Sequence, residues 1–178
     1  MASRKGYSFE YAIKRALEAH LLHYDIKGHV RREFQHFANF LGTDITVDTL
    51  DRNLYIAIEC KSIDLNKPSN KNRHTFPALF HTRKDGRTQF DTITDYLEDT
   101  GRSGYLCVEL KRGTWCGMQF QTQAFFMPWC DVEDIIRWVP RAISINDVCK
   151  YPALCYSHQK YTIPQGFFPV EPQKVKPF

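Results

Sequence analysis

The stretch Leu54-Tyr55-Ile56-Ala57-Ile58-Glu59-Cys60-Lys61-Ser62 limits what this chain can fold into more than any other. Its apolar, β-branched and aromatic residues, uninterrupted by glycine or proline, predict a buried strand. Side chains alternate across a strand, so Glu59 and Lys61 project from one face while Cys60 points to the other, core side. Just upstream, Gly42-Thr43-Asp44 opens a second run, Ile45-Thr46-Val47, and Asp51-Arg52-Asn53 supplies a turn between the two. A hairpin of that shape brings Asp44 towards Glu59, so that two carboxylates and one ammonium meet. Such a set can hold Mg²⁺, with Mn²⁺ as a substitute, through Asp44, Glu59 and the Cys60 backbone carbonyl, because Mg²⁺ favours oxygen ligands. Lys61 would then face a phosphate or orient an attacking water. The plainer reading of Glu59 and Lys61 is a salt bridge at a strand end, which contributes little.

At 178 residues the chain is long enough for one domain with its own core. A hydrophobic fraction of 43% and an aromatic fraction of 14% exclude a disordered chain. The formal charge of +4 is compatible with a nucleic-acid partner without establishing one. No run reaches the length of a membrane span and no signal-peptide-like segment opens the chain, so the expectation is a cytoplasmic protein without a membrane partner. The six cysteines include no C-x-x-C pair and read as reduced thiols. Cys149, Cys155 and His158 have a spacing open to zinc but lack a fourth ligand. Serine-hydrolase, P-loop and dinucleotide fingerprints are missing, which leaves those classes without a foothold.

In chain order, residues 1–6 form a short basic arm with Arg4 and Lys5. Over residues 7–23, Phe9, Ile13, Ala16, Leu17, His20 and Leu21 recur at helical steps, with Ser8 as the N-cap. Glu10 sits at the edge of that stripe; by itself it reads as a first-turn acid pairing with Lys14. A strand over 29–34 carries Arg31 and Arg32, and strands over 44–50 and 54–63 follow. Residues 64–88 then place Lys67, Lys71, Arg73, Arg83, Lys84 and Arg87 among aromatic pieces. That is either a solvated loop or a phosphate-binding one. Arg4, Lys5, Arg31, Arg32, Lys71, Arg73, Arg83, Lys84 and Arg87 are the candidate DNA-backbone contacts. A helix over 88–100 stops at Gly101. A strand over 105–110 leads through a turn at 111–113 into residues 115–120. A strand over 125–129 reads as an edge because of Pro128, and Asp131 caps a helix to Trp138. The domain is assigned to 1–138, and the proline-rich residues 139–178 are expected to be an irregular extension packed on it.

These elements run helix, strand, strand, strand, helix, strand, and their motifs resemble a known family. Gly42-Thr43-Asp44 followed by Glu59-Cys60-Lys61 is similar to the bipartite D…E-x-K signature of restriction-endonuclease-like, PD-(D/E)xK, nucleases. Gly6-Tyr7-Ser8-Phe9-Glu10 resembles the opening helix of Holliday junction resolvases of the archaeal Hjc and RecU types. Thr75-Phe76-Pro77-Ala78-Leu79, followed by Gln89, resembles the RecU-type segment after that strand. Thr43 replaces the proline frequent in the superfamily, and the stalk-like insertion of RecU-type enzymes is largely missing. The resemblance implies an α/β fold, with a mixed central sheet flanked by helices. It also implies a Mg²⁺-dependent endonuclease acting as a homodimer on four-way DNA junctions in recombination and repair. Its catalytic residues would be Glu10, Asp44, Glu59, Lys61 and Gln89, with Glu10 joining Asp44 and Glu59 at the metal. Two alternatives stay open: a restriction, nicking or mobile-element nuclease on the same core, and a catalytically silent DNA-binding module.

Overall fold

The computed structural model describes residues 4–33, 42–50, 54–67, 73–75, 79–82, 86–138 and 142–168. Helix α1 (Arg4–His23) buries the predicted stripe of Phe9, Ile13, Ala16, Leu17 and Leu21. It begins at Arg4, not at Ser8. Arginine and lysine are good helix formers, and Arg4 and Lys5 of the expected basic arm lie in the first turn of the helix.

Strands β1 (Gly28–Arg32), β2 (Ile45–Thr49), β3 (Tyr55–Asp64) and the short β4 (Arg73–Thr75) follow, then helix α2 (Gln89–Thr100). Next come β5 (Ser103–Lys111), β6 (Gly113–Trp115), β7 (Met118–Phe120), β8 (Gln123–Pro128) and helix α3 (Trp129–Trp138). The chain closes through β9 (Ala142–Ser144), a single turn α4 (Ile145–Val148), β10 (Ala153–Ser157) and β11 (Lys160–Tyr161). The main sheet has the order β1-β2-β3-β5-β8-β10-β11. Its β3–β5 pair is parallel and the other neighbours are antiparallel, so the expected mixed α/β architecture is present.

Alternation along the central strands divides the core in two. Ile45, Val47, Ile56, Ile58, Tyr105, Cys107 and Phe126 pack with α1 on one face. Ala57, Ile63, Leu106, Val108, Leu110 and Met127 pack with α2 and α3 on the other. A capping box between Thr88 and Asp91 starts α2, and Gly101, at φ 67°, ends it by donating its N–H to Leu97 O at 2.9 Å.

Several expectations need correction. β8 is not an edge strand: it lies between β5 and β10, and Pro128 is tolerated as its last residue. Residues 115–120, for which no element was assigned, turn back on themselves. The positive φ of Cys116 (49°) and Gly117 (77°) turns the chain back, and β6 pairs with β7 as a hairpin. Asp131 lies inside the first turn of α3 and does not cap it, because the helix opens at Trp129. Among the described residues beyond 138 the chain forms regular elements, and β10 and β11 extend the main sheet. The expected turn at 51–53 and the connection at 35–41 lie outside the described residues.

Candidate active site

Asp44 stands just before β2, where the chain still runs beside β3. Its backbone N–H donates to Ile58 O at 3.1 Å, and its carbonyl accepts from Glu33 N–H at 2.9 Å. Its carboxylate accepts the Cys60 backbone N–H at 2.8 Å. That bond draws the acid against the part of β3 that carries Glu59 and Lys61. Glu59, on the α2 side of the sheet, is only 1% exposed. Its Oε1 accepts from Lys61 Nζ at 2.5 Å and from Gln89 Nε2 at 2.8 Å, while Gln89 Oε1 accepts from Lys61 Nζ at 3.1 Å. The three side chains close a ring of hydrogen bonds. Gln89 is the first residue of α2, and its own N–H donates to His81 O at 2.8 Å, so the capped helix start fixes its reach. The Phe80 ring centroid lies 5.7 Å from Lys61 Nζ, a cation–π contact that further holds the amine.

The electrostatics of this cluster favour added positive charge. Burial, aided by the charge of Glu59 and then of Glu10, pushes the Asp44 carboxyl up to about 8, against the Cys60 N–H and Lys61. Burial likewise raises Glu59, with Glu10 adding, while Lys61 and Gln89 oppose the rise. The second oxygen of Glu59, Oε2, is buried without a hydrogen-bond partner. Leaving such an atom unsatisfied costs ~1–3 kcal/mol, and a hard divalent cation bound by carboxylate oxygens would remove that cost. The carboxylate oxygens of Asp44 and Glu59 are of the kind such an ion takes.

Glu10 is held by Arg32, yet lies near enough for its charge to raise both Asp44 and Glu59. It accepts from Arg32 Nε at 2.6 Å instead of pairing with Lys14, which bonds Glu18. Among the described residues no three His, Cys, Asp or Glu side chains gather closely enough to hold a metal. That covers both the three-acid set and the Cys149, Cys155 and His158 spacing. Cys60 faces the α1 side, opposite Cys107 in the register, as expected for a thiol that does not coordinate. Burial pushes both of these thiols up.

Of the predicted phosphate contacts, Arg31 is exposed on β1 and Arg32 is largely buried against Glu10. Arg87 is exposed and pairs with Asp95 of α2. Arg4 and Lys5 lie in α1 and Arg73 in β4, with side chains outside the described residues, as are Lys71, Arg83 and Lys84 altogether. Sequence reasoning missed the Arg32–Glu10 pair, because no local spacing links residues 22 apart. It also missed Phe80 as a neighbour of Lys61, although Phe80 lies in the aromatic-rich segment that had been singled out.

No protein-family model and no curated protein matches this chain. Among solved structures it is similar to Hjc, a Holliday junction resolvase from the archaeal hyperthermophile Archaeoglobus fulgidus. The two share 15% identity and a TM-score of 0.46, over 78% of this chain and 89% of that one. At that score the likeness is one of outline, and the functional reading rests on the side chains described above.

Proposed function

We propose that this chain is a divalent-metal-dependent DNA endonuclease, selective for DNA structure and most like a Holliday junction resolvase. The observation that carries the reading is the hydrogen-bonded ring of Glu59, Lys61 and Gln89 beside a buried, upshifted Asp44. Buried, upshifted acids, one of them with an unpaired carboxylate oxygen, favour a cation-dependent site over a structural salt bridge. Mg²⁺, or Mn²⁺ in its place, would supply Lewis-acid stabilisation of the charge that builds on the phosphate in the transition state.

The residues of the chain supply the rest. Lys61 spends two of its three N–H donors on Glu59 and Gln89. Among the described residues the third donor is open to the attacking water or to a non-bridging phosphate oxygen. Gln89 grips both the acid and the amine, and so sets their separation before substrate arrives. Water attacks phosphorus and gives up a proton to solvent, the bond to the leaving alkoxide breaks, and that oxygen takes a proton from solvent. The working unit in this reading is a homodimer, because symmetric cutting of opposed strands needs two sites related by a two-fold axis.

The test is cleavage of a synthetic four-way DNA junction. Chelation with EDTA is expected to stop it, and added Mg²⁺ or Mn²⁺ to restore it. Asp44→Ala and Glu59→Ala should each lower the rate by more than about a hundredfold, while gel-shift binding persists with its salt dependence. Undiminished cutting by either purified variant removes this mechanism. A panel of flap, linear duplex and single-stranded substrates reads the selectivity: a preference for linear duplex would make the chain a restriction-type nuclease on the same core.

A further inference from the structure

The Glu10–Arg32 pair joins α1 to β1 at the margin of the site. Arg32 and Glu10 are 10% and 17% exposed, and Nε donates to Oε2 at 2.6 Å. The same guanidinium lies 5.1 Å from the ring centroid of Tyr11, the residue after Glu10, so one arginine holds two successive side chains of the helix. Glu10 is also near enough to Asp44 and Glu59 for its charge to bear on both. Even so, the described residues contain no three-acid group. One carboxylate thus has two possible partners: the guanidinium it meets, and a cation between Asp44 and Glu59.

We propose that Arg32 is a positioning residue that withholds Glu10 from the cation site in the free protein and releases it when a DNA phosphate takes the guanidinium. The proposal rests on the nuclease reading above. An arginine fork matches phosphate oxygens as well as it matches a carboxylate. Arg31, next along β1 and exposed, draws the DNA backbone to this edge. Exchanging one anion for another keeps the buried guanidinium paired, which avoids the large cost of stranding it. The freed Glu10 then adds an oxygen donor to a pair of acids that offers Mg²⁺ few ligands. Cation affinity and DNA affinity become linked, and linkage is reciprocal.

The experiment is Mn²⁺ titration of the full chain, followed by electron paramagnetic resonance, with and without a phosphorothioate four-way junction that resists hydrolysis. In the wild type the junction should tighten Mn²⁺ binding roughly tenfold. Arg32→Met should bind Mn²⁺ about that much more tightly without DNA, and gain little when DNA is added. Glu10→Gln should show no gain from DNA. The double variant separates position from charge: it should return to the affinity of Glu10→Gln if Arg32 acts through Glu10. Should the double variant stay tighter than Glu10→Gln by the full factor, Arg32 acts only as a nearby positive charge and the proposal fails. Arg32→Lys, which keeps the charge without the fork, guards against misfolding of the methionine variant and should retain part of the DNA dependence. An Mn²⁺ affinity indifferent to Arg32, in a protein that cuts DNA, overturns this inference alone. A wild type that neither binds Mn²⁺ nor cuts any DNA overturns the nuclease reading itself.

Discussion

Asp44 is an acid that the fold prefers neutral, raised from an ordinary 3.8 to about 8 by burial and by Glu59. Between those two pH values the folded chain binds more protons than the unfolded chain, so unfolding free energy falls as pH rises through the window. Asp91 is lowered by its hydrogen bonds to Thr88, and Asp147 by Lys150 and then Ser144; both lose their contribution below the ordinary carboxylate range, so they do not offset this trend. Metal-free protein should therefore melt at a higher temperature near pH 5 than near pH 8, at about 2–4 °C per kcal/mol for a chain of this size. Asp44→Asn should flatten the dependence, and Mg²⁺ should raise the pH 8 melting temperature by binding the folded state. A pH-independent wild type would mean that Asp44 is not held neutral.

Gln89→Ala removes one donor to Glu59 and the acceptor that steadies Lys61. It should lower the cleavage rate by roughly 10–100-fold with little change in junction affinity, read by single-turnover kinetics alongside gel shifts. Asp44, Glu59 and Lys61 were legible in the sequence because two adjacent strands and strict alternation decide where they point. Gln89 came only through a family likeness, and the Arg32 partner of Glu10 had no local signal at all.

At the scale of elements, α2 sets the far wall of the site. Its ends were readable because capping has local chemistry: the helix was expected over 88–100, and Gly101 was expected to stop it. Gly104, near the start of β5, had no packing role readable from sequence. A Cβ there would lie 2.3 Å from Leu97 Cδ1 and 2.8 Å from Trp129 Cβ, so this glycine lets α2 and α3 close on the sheet. Gly104→Ala should destabilise the fold by about 1–3 kcal/mol in urea denaturation, because an overfilled interface moves a helix and not just one rotamer. The role of Pro128 was misjudged for a related reason. Proline lacks the N–H that a central ladder uses, and at the last position of β8, opposite Tyr105, that loss falls at the end of the strand.

Across the whole molecule, the C-terminal segment is tied back at two distant points. Tyr161 OH donates to Glu109 Oε1 at 3.0 Å, and Ser62 Oγ donates to the other oxygen at 2.5 Å. Nδ1 of His20 donates to Ile163 O at 3.0 Å, fastening the segment to α1. Composition could place these aromatic residues over a core, but not predict that β10 would pair with β8, since no short-range pattern records a register so far apart. Tyr161→Phe should cost about 1–3 kcal/mol by leaving Glu109 short of a donor. Chain ended before β10 should aggregate on light scattering, because the edge of β8 would lie bare.

The parallel pairing of β3 with β5 requires a crossover between them, and α2, with Gln89, lies on it. Parallel neighbours need such a crossover, and contacts of long sequence separation form slowly during folding. Glu59 and Gln89 are 30 residues apart and meet only once that loop has closed. A chain emerging from the ribosome therefore carries its acid and its amide disconnected, and whatever chemistry they share is withheld until synthesis has passed β5.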